Sequence, residues 1–365
     1  ILLVADDQEE AFESVFKTMN EDAASLLPTG MEPPYKGYLL DYLDAGFSPL
    51  DLNSDIVDKI NAGALIANFS GHGHLQGWAD ESIFAADDID SLTNVGKYPF
   101  IVSMNCLTGY FAYPDPDPLA VSFAELLLRA DQKGAAAALM PTGMTTTEGQ
   151  HVMNTALFET IFVEDLRKLG PAIARAKRVL LANGDAYFEQ ISQTFLLFGD
   201  PAMQLRVPLP RRPAGLAPAI WTKTGVALGW AEAKDCNDDP VAGYNVYRST
   251  SPTGNFTKVN QAAVVEPEFT DVTASAAASS VYYYTITALD DDGDESIPSA
   301  MVASPNLAAG TTITSSGGSG GGGGGCFIST ASHSFTGIEV SLMLGIGLLA
   351  VLLLFRMNIY MKRAN

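Results

Sequence analysis

Two short apolar runs, each followed within a few residues by a histidine or a cysteine, constrain the fold of this chain most. The run at 64–67 leads through Asn68-Phe69-Ser70 into Gly71-His72-Gly73, and the run at 100–102 leads into Cys106. Brief continuous apolar runs are typical of buried strands in a parallel sheet. The carboxyl ends of such strands meet at one edge, which is where open α/β sheets bind ligands. The pattern therefore predicts that His72 and Cys106 lie at one edge of one sheet.

Strand-like and helix-like segments alternate around these two runs. Helical spacing of apolar residues separates the strand-like segments, and this alternation predicts an α/β domain whose mostly parallel sheet is flanked by helices. The domain covers residues 1–207. Its expected strands are 1–5, 35–42, 64–69, 99–104, 135–140 and 202–207.

Length and charge limit the classes of function. A chain of 365 residues predicts two or three domains, and a net charge of −21 argues against nucleic-acid binding. The three cysteines, Cys106, Cys236 and Cys326, fall in different segments and do not form a disulfide framework. The chain opens on Ile1 without an initiator Met or a signal peptide, so we expect an upstream part to be missing.

The pattern changes after a proline-rich linker at 208–213. Residues 214–303 alternate apolar and polar side chains between turn residues, which predicts an all-β sandwich. This segment resembles a fibronectin type III domain. Trp230 matches the core tryptophan of that family and Tyr282 its corner tyrosine, while Ser296 and Ser299 match serines after the penultimate strand.

The tail has the composition of a membrane anchor. A Gly/Ser-rich linker at 304–326 ends in six glycines before Cys326 and predicts a flexible tether. Residues 338–355 are apolar and long enough for a short transmembrane helix. Residues 356–365 carry Arg356, Lys362 and Arg363, and the positive-inside rule assigns them to the cytoplasm. We therefore expect the large domains to lie outside a bacterial cell membrane.

A thiol near an imidazole is the minimal equipment for nucleophilic catalysis by cysteine. A free cysteine has a pKa near 8.5, and a neighbouring imidazolium lowers it so that the thiolate forms at neutral pH. The same histidine then donates its proton to the leaving amine. We assign these roles to Cys106 and His72. Small Gly73 lets backbone N–H groups approach a developing oxyanion, together with the amide of Cys106.

The motifs resemble those of the gingipain family of cysteine peptidases. The resemblance rests on Asn68-Phe69-Ser70-Gly71-His72-Gly73, on the 34-residue step to Asn105-Cys106 and on the closing Phe198-Gly199-Asp200-Pro201. It implies a caspase-like α/β fold followed by an immunoglobulin-like domain. It also implies that His72 is the catalytic histidine, that Cys106 is the nucleophile and that the amides of Gly73 and Cys106 form the oxyanion hole. No cofactor is needed for this chemistry.

The same resemblance implies further site residues. Family members use an acidic residue beside the histidine, and Asp6 or Asp7 fits that position. They cut proteins and peptides after basic residues with the help of a pocket carboxylate, for which Glu13, Asp115 and Asp117 are candidates. Trp78 either lines the pocket or fills the core. Calcium occurs in the family, and the acidic surplus of this chain permits a structural calcium ion.

The same residues also allow other functional interpretations. His74 stands where the family more often has a serine, and on a strand it would share a face with His72. That pair suggests a zinc hydrolase, although zinc needs three or four ligands and only His151 and His333 remain. Otherwise His74 lines the cleft. A non-catalytic surface adhesin on a caspase-like scaffold is the second alternative. The tail also resembles bacterial sorting signals, which implies an enzyme acting near the glycines or a lipid on Cys326.

Overall fold

The computed structural model describes residues 1–8, 10–114, 121–184, 186–275 and 281–305. The predictions that concern Asp115, Asp117, Cys326 and the segments 338–355 and 356–365 lie outside these residues, as does nearly all of the 304–326 linker. Within the described residues, no helix is both long enough and apolar enough to span a membrane.

A six-stranded sheet forms the centre of the first domain, in the order β2-β1-β3-β7-β8-β9. The first five strands in this order are parallel, and the last is antiparallel to β8. The predicted mostly parallel sheet is therefore confirmed. Its strands are β1 (Leu2–Ala5), β2 (Tyr35–Tyr38), β3 (Ile66–Ser70), β7 (Phe100–Met104), β8 (Ala137–Pro141) and β9 (Phe195–Phe198).

Helices cover both faces of this sheet. The strand residues that point to either face are mostly apolar, so each face must be buried. One buried cluster joins α1, α5, α6 and α7 to one face, and a second cluster joins α2, α3 and α4 to the other. The helices are α1 (Ser14–Ser25), α2 (Leu39–Asp44), α3 (Pro49–Gly63), α4 (Phe123–Arg129), α5 (Thr147–Phe158), α6 (Leu169–Asn183) and α7 (Ala186–Thr194). Short 3₁₀ turns at Ala11–Glu13 and Ala86–Ser91 and a π-helical turn at Glu159–Val163 complete the set.

Three boundaries differ from the sequence prediction. The segment 35–42 is a strand only to Tyr38 and then turns into α2, since the edge strand needs only four residues to pair with β1. The pair Asn53-Ser54 predicts a helix cap at that point of the sequence, but α3 begins about one turn earlier, because Ser48 accepts a hydrogen bond from the Asp51 amide and Pro49 follows it. The last strand of the sheet is β9, and the predicted strand at 202–207 is irregular apart from a single bridge at Gln204.

A small antiparallel sheet is inserted between β3 and β7. It consists of β4 (Gly73–His74), β5 (Gly77–Trp78) and β6 (Phe84–Ala85). Trp78 is fully buried there, stacks on Phe69 at a centroid distance of 4.7 Å and donates a hydrogen bond to Ser103 Oγ. Of the two predicted roles for Trp78, the structure shows the core role, because a fully buried ring cannot line an open pocket.

The second domain contains two antiparallel sheets around one hydrophobic core. One sheet is β10-β11-β14 and the other is β13-β12-β15-β16, and residues of both enter the same cluster. Ser296 and Ser299 each accept a hydrogen bond from a backbone amide of β15. The strands are β10 (Ile220–Trp221), β11 (Val226–Gly229), β12 (Gly243–Ser249), β13 (Thr257–Lys258), β14 (Glu268–Asp271), β15 (Tyr283–Leu289) and β16 (Val302–Ala303).

The linker at 208–213 is held against the first domain and is not a free spacer. Leu209 is buried, and the guanidinium of buried Arg167 donates hydrogen bonds to the carbonyls of Val207, Leu209 and Pro210 at 2.9–3.2 Å. Asp165 pairs with the same guanidinium at 2.6 Å. We call this arrangement the Arg167 clamp. Because it satisfies linker carbonyls that a flexible chain would expose to water, it fixes the chain where the two domains join.

Candidate active site

A buried polar network positions the loop that follows β3. Asn20 on α1 donates to the Val4 carbonyl at 2.9 Å and to Ser70 Oγ at 2.6 Å, and it accepts from Asn68 Nδ2 at 2.9 Å. The Ser70 hydroxyl donates in turn to the Phe16 carbonyl. The network ties β1, β3 and α1 together at the carboxyl edge of the sheet. It thereby fixes the position of Gly71 and His72, which follow β3 directly.

The imidazole of His72 is bonded to a buried carboxylate. His72 Nε2 lies 2.8 Å from Glu13 Oε1, and the Glu13 side chain is 4% exposed while that of His72 is 49% exposed. The other oxygen of Glu13 accepts the Glu10 amide at 2.7 Å. Because an ionised carboxylate can only accept, this geometry assigns the hydrogen to Nε2 and leaves Nδ1 for proton exchange. Phe16 supports the ring edge-on at 5.4 Å.

Neighbouring charges set the protonation of His72. Partial burial alone would lower its pKa, but the hydrogen bond to Glu13 and the negative charges of Asp6, Glu13 and Asp80 outweigh burial and raise it. The pKa of His74 is lowered, chiefly by burial. Of the two histidines, His72 is therefore the more easily protonated, as the partner of a thiolate must be.

Asp6 contacts the histidine through the backbone and not through the ring. Its Oδ2 accepts the His72 amide at 2.8 Å, and its Oδ1 accepts the Asp7 amide at 3.1 Å. Burial raises the pKa of Asp6 to about 7, against the opposing effect of these two hydrogen bonds. The expectation that Asp6 or Asp7 sits beside the imidazole therefore does not match the geometry. Glu13, which the sequence offered only for the substrate pocket, occupies that place.

The loops that carry the histidine and the cysteine are in direct contact. Gly73 packs so tightly on the other loop that a Cβ at this position would lie 2.1 Å from Asn105 Nδ2 and 2.8 Å from the Cys106 carbonyl oxygen. Strand register places Ser70 of β3 opposite Met104 of β7, so both strands end at the same level. The predicted meeting of the two strand ends is thus present in the backbone.

The thiol of Cys106 is free, half-buried and close to Thr145. Its Sγ lies 3.7 Å from the Thr145 carbonyl oxygen and 3.9 Å from the Thr145 hydroxyl. Thr145 and Gln150 both donate to the Asn105 carbonyl, at 2.6 and 3.0 Å. These two residues follow β8 and were not identified from the sequence. They hold the cysteine loop from the side opposite to Gly73.

The remaining predicted residues lie at different places. His74 is half-buried in the inserted sheet, where its Nδ1 accepts the Gln76 amide at 3.3 Å. Among the described residues, one group of side chains has the spacing to hold a metal ion, namely the carboxylates of Asp6, Asp7 and Glu81 within 4.8 Å of one another. That group contains neither histidine, and its oxygen donors suit calcium rather than zinc.

Fold and site together define a class of protein. An α/β domain that presents a free thiol and a carboxylate-bonded imidazole on touching loops at the carboxyl edge of its sheet has the parts of a cysteine-dependent hydrolase. Within that class the chain belongs to peptidase family C25, whose family model matches residues 1–206. The resemblance to gingipains that the sequence motifs suggested is therefore confirmed for this domain.

Known proteins that are similar to this chain include gingipains. Gingipain R2 of Porphyromonas gingivalis is 29% identical over 184 residues, which are 48% of this chain and 24% of that protein. Lys-gingipain HG66 of the same organism is 37% identical over 94 residues, covering 26% of this chain and 5% of that protein. A crystal structure of gingipain R, described as an Arg-specific cysteine proteinase, superposes with a TM-score of 0.44 at 20% identity, covering 83% of this chain and 66% of that one. The chain thus spans a quarter or less of the length of these two curated relatives.

Proposed function

We propose that this chain is a cysteine endopeptidase that cleaves proteins and peptides with Cys106 as nucleophile and His72 as its base and acid. The observation that carries the proposal is the bond between the His72 imidazole and buried Glu13, on a loop that packs directly against Asn105-Cys106. A half-exposed imidazole bonded to a carboxylate, on a loop that touches the loop of a free thiol, supplies the groups that acyl transfer by cysteine requires. Membership of peptidase family C25 supports the same reaction.

The reaction runs through a thioester. Proton transfer from the thiol to His72 Nδ1 gives a thiolate and an imidazolium, which Glu13 stabilises through Nε2. The thiolate adds to the peptide carbonyl to form a tetrahedral oxyanion. The C–N bond then breaks as the imidazolium gives its proton to the leaving amine. Water, deprotonated by His72, adds to the thioester and releases the acid and the thiol.

The oxyanion needs donors at the place where its charge develops. The backbone amides of Gly73 and Cys106 are our candidates, because they belong to the two touching loops and one of them carries the nucleophile. Glu13 acts as a positioning residue, since it bonds the imidazole and is itself almost fully buried. We assign the supporting acid to Glu13 and give Asp6 the role of holding the His72 backbone.

Labelling by a thiol-directed probe tests the nucleophile. The full chain is treated with a fluorescent acyloxymethyl ketone, and hydrolysis of fluorescein-casein is followed in parallel. We expect Cys106→Ala to remove labelling and to reduce hydrolysis by at least about a thousandfold, because the reaction loses its nucleophile. Cys236→Ala is the matched control, since Cys236 is a second free, half-buried thiol in the other domain, and it should label and cleave as wild type.

Two results would contradict the proposal. One is equal labelling and casein hydrolysis by wild type and the Cys106→Ala variant. The other is a folded wild-type protein that neither labels nor cleaves, which would favour the adhesin alternative. A zinc-dependent hydrolase would instead show activity that survives thiol reagents, disappears with chelators and returns when zinc is added.

Location and accessory parts extend the proposal. We propose that the second domain is a fibronectin type III module, supported by its two sheets, by the contact of Tyr282 with Ser275 and by the serine bonds to β15. We also propose that the protein acts at a bacterial cell envelope, anchored by 338–355 and processed near the glycines.

A structural calcium ion at Asp6, Asp7 and Glu81 would show as a higher melting temperature in CaCl₂ than in EGTA.

A further inference from the structure

A cavity lies where the two domains meet, remote from the catalytic edge. It has a volume of about 700 Å³ and is bordered by Pro28, Thr29 and Gly30 of the first domain and by β12, β15 and the 295–298 segment of the second. Glu13 precedes α1 and Pro28 follows it, so the length of this twelve-residue helix, about 18 Å, separates the cavity from His72. Junctions between domains are preferred places for ligand sites.

Glu295 supplies the one formal charge among the described residues that line this cavity. Asn245 Nδ2 donates to its Oε1 at 2.6 Å, Thr287 Oγ1 donates to its Oε2 at 2.6 Å, and the Tyr247 hydroxyl lies 2.9 Å from both oxygens. All three donors are neutral. The carboxylate is therefore fixed in place at the cavity wall without a cation from the lining residues to balance it.

The rest of the wall suits the stem of a basic side chain. Tyr247 and Phe256 are aromatic, and Ile297 and Pro298 are apolar. Aromatic faces attract cations, and apolar walls bury the methylene groups that precede an ammonium or guanidinium. Burial and the bond to Glu295 raise the pKa of Tyr247 to about 12, so its hydroxyl keeps its proton and continues to donate. A neutral ligand would leave the carboxylate unbalanced.

We propose that this cavity is a binding site for a lysine or arginine side chain of an extended peptide, with Glu295 as the counter-charge and Tyr247 and Phe256 as the walls. The site is separate from the catalytic edge and does not depend on the proposed peptidase activity. It would hold a basic residue of a protein far from any bond that Cys106 attacks.

Binding is measured with the full chain carrying Cys106→Ala, so that no probe is cleaved. The probes are fluorescein-labelled Ala-Ala-Lys-Ala-Ala and its arginine and norleucine counterparts, followed by fluorescence anisotropy. We expect the lysine and arginine peptides to bind and the norleucine peptide to bind at least about tenfold more weakly, as loss of one charged hydrogen bond implies. When Glu295→Gln is introduced into the same Cys106→Ala protein, the affinities for the lysine and arginine peptides should fall to the affinity for the norleucine peptide.

The control is Glu268→Gln, which removes the same charge from an exposed position on the other sheet. It should leave all three affinities unchanged. Phe256→Ala removes an aromatic wall without touching the donors to Glu295 and should also weaken the basic peptides, which covers the case that Glu295→Gln does not fold. Equal binding of lysine and norleucine peptides, or basic-peptide affinities unchanged by Glu295→Gln and Phe256→Ala, would overturn the proposal.

Discussion

The hydrogen bond between Glu13 and His72 is the contact on which the proposed chemistry depends. The carboxylate is buried and the imidazole is half-exposed, so the pair is anchored on the protein side and open on the substrate side. Phe16 and the Glu10 amide hold the two partners in orientation. The arrangement favours the imidazolium, and hence the thiolate, over a wider range of pH than an isolated histidine would.

Glu13→Gln should move the alkaline limit of activity to lower pH. Glu13 raises the pKa of His72 by its hydrogen bond and by its charge, and the amide removes the charge. The imidazolium would then deprotonate earlier as pH rises, and the thiolate would lose its partner. The measurement is the pH profile of kcat/KM from pH 5 to 10 on fluorescein-casein. An unshifted alkaline limb would contradict the role given to Glu13.

Asp22→Asn is the matched control for this experiment. Asp22 bonds His151 Nε2 at 2.7 Å, which makes a second carboxylate–histidine pair that includes neither His72 nor Cys106, and its variant should leave the pH profile in place.

The stability of the fold offers a second readout of the Glu13–His72 contact. A raised pKa stabilises the fold below the ordinary value of 6.5 and stops doing so as pH rises through the folded value. Wild type should therefore lose more stability between pH 6 and 8 than Glu13→Gln.

At the level of elements, two strand ends and the loops behind them form the site. Gly73 is the point of contact, and its missing side chain lets the histidine loop lie directly on Asn105 and Cys106. Thr145 and Gln150, which follow β8, close the arrangement from the other side. Three neighbouring strands thus contribute to one site.

Gly73→Ala should impair catalysis through this contact. The added methyl would overlap the Asn105 side chain, and the loops would have to separate by a substantial fraction of an ångström. Misplacement on that scale costs up to about a hundredfold in rate, so we expect kcat/KM to fall by at least about tenfold. Gly229→Ala is the control, because a Cβ at Gly229 meets nothing within 4 Å. Full activity of Gly73→Ala would show that the contact has no catalytic importance.

The strand-end pattern was sufficient to predict the sheet and the meeting of the His72 and Cys106 loops. Runs such as 100–102 are apolar on both faces, and only a strand covered by helices on both sides accommodates that. Thr145 follows β8 in the same way that Cys106 follows β7, so the rule would have found it too. A threonine among three threonines carries no chemical signal by itself, and it was therefore missed.

Other features depend on contacts that local sequence does not encode. Glu13 looks like any acid at a helix start, and its function comes from burial against His72, which is 59 residues away in the chain. The segment at 202–207 has a strand-like pattern, but β9 already occupies the edge beside β8. Trp78 was ambiguous because a tryptophan near a histidine fits either a pocket or a core until its burial is known.

At the scale of the whole molecule, the Arg167 clamp holds the proline-rich linker that precedes the second domain against the first domain. Asp165 supports it twice, by pairing with the Arg167 guanidinium and by accepting the Arg212 amide at 3.0 Å. Arg212 also donates from its guanidinium to the Val163 carbonyl. Composition predicts a boundary at 208–213, but it does not indicate that Leu209 and Pro210 in this segment are buried.

Arg167→Ala should destabilise the junction. The change removes the donor to three carbonyls and the cation that pairs with the largely buried Asp165 carboxylate, at a cost of about 3 kcal/mol in the free energy of unfolding. Urea unfolding measures this, and limited trypsin digestion should reveal faster cleavage after Arg211, since Pro213 protects the bond after Arg212. Arg175→Ala, which removes an exposed pair with Glu164, should cost less than about 1 kcal/mol. Equal effects of the two variants would contradict a special role for the clamp.

The position of the clamp has a mechanical consequence. Residues 203–206 border the amino ends of β3 and β7, at the edge of the sheet opposite to His72 and Cys106. Tension applied to the second domain, from an anchor or from a bound surface, would enter the first domain at that opposite edge. Along the covalent chain, the force would reach Arg167 and the start of α6 before it reached the loops around Gly73. The point where the second domain attaches and the loops that carry His72 and Cys106 thus lie at opposite ends of the same strands.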